Sequence, residues 1–177
     1  MKKITLADKN FRLFIDAKEL DKAIALLAKS LNIDYAVSSP VFICVLNGSF
    51  IFASELIKKF NYSCKVSFVK LSSYQGISST GIIKELIGLN ENLKEKDVII
   101  VEDIVDTGET VSNIVRNISK LNPRSIEIAT LLFKPNAYKK DIPIKYRALD
   151  VGNEFLVGFG LDYNGLGRNL NEIYIVD

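Results

Sequence analysis

The chain has 177 residues, with 23 Lys or Arg against 21 Asp or Glu, so its net charge is only +2. A field that weak releases few counterions, which excludes electrostatic capture of nucleic acid or of an anionic membrane as the main activity. The sequence contains no histidine, so His-based triads and most zinc hydrolases are excluded together, and proton transfer falls to a carboxylate, Lys, Tyr or Cys.

At the amino end, Met1-Lys2-Lys3 meets Asp8 and Lys9 before any apolar stretch, so no secretory segment is predicted. Ala17, Leu20, Ile24, Leu27 and Leu31 recur at steps of three and four after Asp16, the spacing of an amphipathic helix with an acidic cap. Val41 to Leu46 is the longest apolar run. It is far short of the ~18 residues of a membrane span and reads as a strand buried on both faces. Asn47-Gly48-Ser49 turns the chain into a helix striped by Phe52, Ala53, Leu56, Ile57 and Phe60, predicted over Ser49 to Phe60. Lys65 to Leu71 alternates as a strand, and Val98 to Val101 is a buried one. Val111, Ile114, Val115, Ile118 and Leu121 stripe a helix stopped at Asn122-Pro123. Ser125 to Phe133 is predicted as a strand and Phe155 to Phe159 as the last one. Strands alternating with helices over short connections imply an α/β fold with a parallel sheet flanked by helices. No repeat or linker interrupts the pattern, so one domain is expected over 1–177. Cys44 and Cys64, both in apolar or mixed strand-like stretches, read as reduced packed thiols of a cytoplasmic protein. One segment departs from the compact pattern. Ser72 to Gly81 is long, polar and rich in hydroxyls, as the mobile covers of active sites are.

The chemistry concentrates in Val98-Ile99-Ile100-Val101-Glu102-Asp103-Ile104-Val105-Asp106-Thr107-Gly108-Glu109-Thr110. An apolar strand is predicted to end in two adjacent carboxylates. A short loop with a third then leads into a helix. Ligands of open α/β sheets bind beyond the carboxyl ends of strands. Backbone amides from Asp106 to Thr110, with Gly108 allowing close approach, suit a phosphate at the helix start. Glu102 and Asp103 repel phosphate but accept hydrogen bonds from sugar hydroxyls and favour a cationic transition state. Asp106-Thr107-Gly108 also matches the Asp-Thr-Gly of an aspartic protease, but that fold is all-β and the helical stripe contradicts it. The acidic pair also matches a response-regulator receiver, whose acidic residues come near the domain start rather than after a large part of it.

Along its whole length the stretch resembles the phosphoribosyl-diphosphate (PRPP) signature of type I phosphoribosyltransferases, most closely the hypoxanthine-guanine group. Other landmarks follow in the family's order. Leu46-Asn47-Gly48-Ser49 is similar to the pyrophosphate loop, which carries a cis peptide, and Ser73-Tyr74 to the pair in the flexible loop that closes over the transition state. Leu132-Phe133-Lys134-Pro135 resembles the segment whose lysine contacts the purine 6-oxo group. Phe155-Leu156-Val157-Gly158 resembles the segment whose aromatic stacks on the base, with Leu156 at its exocyclic edge. Leu161-Asp162-Tyr163-Asn164 resembles the segment whose aspartate helps to hold Mg²⁺, and Arg168 an arginine near pyrophosphate.

The resemblance implies a type I phosphoribosyltransferase fold with a small hood, and transfer of phosphoribose from PRPP to N9 of hypoxanthine or guanine. It implies Asp106 as catalytic base at purine N7, and Lys134, Phe155, Leu156 and Asp162 around the purine. PRPP is assigned to Glu102, Asp103, Asp106, Thr107, Gly108, Glu109, Thr110, Asn47, Gly48 and Arg168. Mg²⁺ is assigned to Glu102, Asp103 and Asp162. The expected assembly is a homodimer or homotetramer, with neither nucleic acid nor membrane as partner. A xanthine-preferring enzyme and a non-catalytic nucleotide-sensing regulator are the alternatives. Asn47 and Tyr138 stand where many members carry lysine and several carry arginine, so less side-chain charge is offered to pyrophosphate here.

Overall fold

An amino-terminal hairpin of β1 (Lys3–Leu6) and β2 (Lys9–Ile15) precedes the first helix of this computed structural model, which describes residues 2–72, 84–87 and 91–177. That helix, α1 (Ala17–Asp34), starts at Asp16, whose carboxylate accepts a hydrogen bond from the Glu19 amide. The cap satisfies an amide orphaned at the helix start and contributes about 1 kcal/mol. There follow β3 (Val41–Leu46), α2 (Phe50–Lys58), β4 (Lys65–Ser72), β5 (Lys84–Ile87), β6 (Asp97–Val105) and α3 (Glu109–Ser119). The chain ends through β7 (Ser125–Phe133), β8 (Tyr146–Asp150), β9 (Leu156–Val157) and β10 (Ile173–Val176).

The main sheet has the order β5-β4-β3-β6-β7-β8, with β4 to β8 through β3, β6 and β7 all parallel and β5 antiparallel at the edge. The expected parallel α/β sheet is therefore present. Side chains alternate between its faces. Phe42, Cys44, Ile99 and Val101 join α1 and α2 in one core, while Ile43, Val45, Val98 and Ile100 join α3 in another. A second, antiparallel sheet of order β1-β2-β10-β9 forms the hood. It has its own small core of Phe11, Val157 and Tyr174, and Ile15, Leu156, Ile173 and Ile175 join it to the α1–α2 core.

The helix predicted over Ser49 to Phe60 runs from Phe50 to Lys58, and two strands differ more from expectation. The strand predicted to stop at Val101 continues to Val105, because Glu102 pairs in register with Thr130 and Val105 with Phe133. The segment predicted as a last strand over Phe155 to Phe159 is reduced to Leu156–Val157, and β10 follows it. Gly158, at φ +100°, turns the chain out of β9 and ends the pairing. The predicted cover loop falls, beyond Ser72, outside the described residues, and Ser73 and Tyr74 with it.

Candidate functional site

From β3 the chain crosses through α2 to β4 on one side, and from β6 it crosses through α3 to β7 and β8 on the other. A crevice opens where such directions part, beyond the carboxyl ends of the strands. Here those ends carry Asn47-Gly48 after β3 and the Asp103 to Asp106 stretch of β6. The Leu46–Asn47 peptide is cis, the feature the resemblance implies for this loop.

Gly48 packs directly on Asp103. A Cβ at position 48 would lie 1.6 Å from Asp103 Oδ2, so only glycine leaves that carboxylate its place. Asp103 is buried and accepts a hydrogen bond from the Ile104 amide at 2.9 Å. Burial pushes its carboxyl up to about 6, while backbone hydrogen bonds and the nearby Arg168 guanidinium pull the other way. Glu102, the residue before Asp103, is buried as well. Its Oε2 is buried with no hydrogen-bond partner among the described residues, and burial, helped by the Asp103 charge, holds its carboxyl well above the usual range.

The end of β7 delivers Lys134 to the same crevice: its amide donates to Val105 O at 3.0 Å, and its Nζ donates to Asp106 Oδ2 at 2.9 Å. The lysine side chain is 10% exposed and the aspartate 48%, so a desolvated ammonium is paired with a carboxylate open to the cleft.

Asp103, Asp106 and Lys134 line a cleft of about 230 Å³. Phe155, Leu156, Asp162 and Arg168 line it as well, and Ile104 and Leu161 complete the lining. Arg168 donates through Nη1 to Gly160 O at 2.7 Å and pairs through Nη2 with Asp162 Oδ1 at 2.6 Å. Asp162 Oδ2 in turn accepts from the Gly165 amide at 2.7 Å. Larger grooves of about 360 and 540 Å³ lie along α1, but they hold none of the predicted residues. Convergent charged groups, not volume, distinguish the smaller cleft.

The turn before α3 borders this cleft without lining it. Gly108 has φ +84°, and a Cβ there would lie 2.5 Å from Tyr138 Cε2, so glycine answers both the backbone and the space. No side chain caps α3, so the first amides of the helix stay available to an anion. Tyr138 supports the turn: it packs on the Phe133 ring and its hydroxyl donates to Ile142 O at 2.6 Å. Lys139 donates its amide to Thr107 O at 3.3 Å, and Lys140 pairs with Glu109 at 2.5 Å. The Glu109 carboxylate is thus engaged by a cation that the sequence reading did not single out.

Of the predicted residues, the structure brings Asp103, Asp106, Lys134, Phe155, Leu156, Asp162 and Arg168 together. Asn47 and Gly48 lie in the loop after β3, Thr107 and Gly108 in the turn before α3, and Glu109 and Thr110 in the first turn of that helix, while the buried Glu102 does not line the cleft. Among the described residues, no three Cys, Asp or Glu side chains cluster as a ligand set. Ile104 and Leu161 join the lining without being predicted site residues, since an apolar side chain carries no chemical signal in the sequence.

The family pattern for the phosphoribosyl transferase domain matches residues 15–164. The chain is 41% identical over 145 residues to the hypoxanthine-guanine phosphoribosyltransferase of Staphylococcus aureus, covering 81% of each. It is 35% identical over 170 residues to that of Mycobacterium tuberculosis, covering 92% of this chain and 84% of the relative. Among solved structures, a hypoxanthine-guanine phosphoribosyltransferase of Bacillus anthracis with HEPES in its active site superposes with a TM-score of 0.88 at 32% identity, over 94% and 96% of the two chains. A Trypanosoma cruzi hypoxanthine phosphoribosyltransferase variant in a ternary substrate complex gives 0.86 at 30% identity, over 97% and 96%.

Proposed function

The chain belongs to the phosphoribosyltransferase family, and on that premise we infer that it is a purine-salvage enzyme of the hypoxanthine-guanine type. It transfers the 5-phosphoribosyl group of PRPP to N9 of hypoxanthine or guanine, giving IMP or GMP and pyrophosphate.

The observation that carries the base class is the Lys134–Asp106 pair, 2.9 Å apart at the cleft. A 6-oxopurine presents on one edge an acceptor at O6 and, as N9 attacks, an acidic proton at N7. A lysine donor beside a carboxylate acceptor is complementary to that edge. Adenine presents an amino donor at the same place and leaves the ammonium unpaired. Asp106 takes the N7 proton. The half-exposed Phe155 ring stacks on the base, and the Leu156 backbone lies at the 2-position. The amides from Asp106 to Thr110 hold the 5-phosphate, while Asn47, Gly48 and Arg168 face pyrophosphate. Asp103 and Glu102 act toward the ribose.

Mg²⁺, bound with PRPP, would neutralise the diphosphate leaving group. Asp103 and Asp162 fit that ion, being hard oxygen donors on one cleft, with a burial-raised Asp103 carboxyl that a nearby cation would ionise. Glu102, the third carboxylate assigned to the ion, does not line this cleft, and the three form no cluster among the described residues. We read the assembly as a homodimer or homotetramer and the location as cytoplasmic. Among the described residues, no helix is long and apolar enough to cross a membrane.

Purified protein incubated with PRPP, Mg²⁺ and hypoxanthine is expected to yield IMP, read by chromatography. Absence of nucleotide from hypoxanthine, guanine and xanthine alike would overturn the reading.

A further inference from the structure

Phe155 is 48% exposed although it is a large aromatic side chain. Its ring has one aromatic neighbour among the described residues. Tyr163 stands at 83° to it with the centroids 5.9 Å apart. The two rings thus meet edge to face, and the half-exposed Phe155 lines the cleft. Tyr163 is itself held from several directions. Its other aromatic neighbour is the fully buried Phe11 of β2, at 5.9 Å. Lys9 Nζ sits 5.2 Å from the centre of its ring, and its hydroxyl donates to Asp8 Oδ1 at 2.8 Å. Its backbone closes a two-way bridge with Leu166, the turn in which Asp162 accepts the Gly165 amide.

We propose that Tyr163 is a positioning residue for the purine. Hooked to Asp8 in the β1–β2 turn, its ring holds the Phe155 ring upright at the cleft wall. The inference deepens the reading given above and rests on Phe155 being the platform under the base. An aromatic held by a perpendicular neighbour loses less freedom when a base stacks on it, so the benefit falls on base affinity. Tyr163 reaches the substrate only through Phe155, and its loss should leave PRPP binding alone.

Steady-state kinetics of the full chain test this with Phe155→Ala, Tyr163→Ala, Tyr163→Leu and Tyr163→Phe. Tyr163→Ala is expected to raise KM for hypoxanthine about two- to tenfold, the size of an aromatic pair interaction, while KM for PRPP stays within about twofold. Tyr163→Phe, which keeps the ring and loses the Asp8 hook, should recover most of that loss. Adding Tyr163→Ala to Phe155→Ala should cost nothing further, because the two act in series. If circular dichroism shows the alanine variant unfolded, Tyr163→Leu carries the same expectation. The proposal is overturned if Phe155→Ala raises KM for hypoxanthine while Tyr163→Ala and Tyr163→Leu do not, if both KM values rise together, or if the two losses add in full. Should Phe155→Ala itself leave KM for hypoxanthine unchanged, the stacking platform is the reading that fails, and this proposal falls with it.

Discussion

Replacing Asp106 by asparagine separates catalysis from architecture. The Asp106 carboxylate accepts a hydrogen bond from Lys134 at 2.9 Å, and the lysine side chain is only 10% exposed. An asparagine amide oxygen can accept the same bond, so Lys134 is not left without a partner. Because Asp106 is 48% exposed, the lost ion pair is partly screened and its contribution to stability is at most about 1 kcal/mol. In a chain of 177 residues, that corresponds to about 2–4 °C in Tm. Asp106→Ala is different, since it leaves a desolvated ammonium unpaired, and a loss of about 1–3 kcal/mol is expected. Neither variant retains a proton acceptor for N7. General-base contributions run to about 10²–10⁴-fold, so kcat should fall by that range in Asp106→Asn, while KM for PRPP changes little. The assay is initial-rate formation of IMP with each substrate varied, alongside thermal melts of both variants. Near-normal kcat in Asp106→Asn, or complete loss of PRPP binding, would show that Asp106 serves the turn rather than the proton.

Adenine should be turned over more slowly than hypoxanthine by a factor on the order of 10⁴ in kcat/KM, because it leaves the Lys134 donor unpaired; comparable rates would remove Lys134 from base recognition. Gly48→Ala places a Cβ 1.6 Å from Asp103 Oδ2 and must displace one of the two, at about 1–3 kcal/mol by overpacking. KM for PRPP should rise, about tenfold for each 1.4 kcal/mol lost from binding, because Gly48 and Asp103 are both assigned to PRPP and one of them must move; an unchanged KM would refute that joint assignment. Asp97 accepts from Arg124 Nε and Ser125 Oγ, and chiefly through Arg124 its carboxyl is held at about 2 against an ordinary 3.8. Since the folded value lies below the unfolded one, this stabilisation, about 2 kcal/mol, is complete above pH ~4 and is lost as pH falls toward ~2. Urea unfolding of Asp97→Asn should show lower stability at neutral pH and a flatter acid limb than the native chain; parallel acid limbs would refute the assignment.

The elements legible in the sequence were those whose burial is written locally. Strands β3, β6 and β7 are buried on both faces and read as apolar runs, and α1 and α3 carry stripes at helical spacing. The signature from Glu102 to Thr110 likewise named its chemistry, because phosphate, sugar and proton acceptors need those residue types in adjacent places. The hood was not legible strand by strand. Its β1 alternates exposed and half-buried residues, β9 is two residues long, and β10 is defined by pairing with β2 across most of the chain. Short strands of that kind acquire their stability from partners distant in sequence. The extension of β6 past its apolar run to Val105 was not legible either. Register with β7 decided that continuation, because local hydrophobicity falls at the first carboxylate while the ladder of hydrogen bonds does not. The Gly48 contact with Asp103, the Lys134 pair with Asp106 and the placement of Tyr163 between Asp8 and Phe155 were decided by tertiary structure alone. Each joins segments that are distant in sequence and meet only through the pairing of neighbouring strands or the packing of the hood on the sheet. Sequence specifies which groups a site can use; the distances that let a donor and an acceptor meet one edge of a base arise from packing between elements.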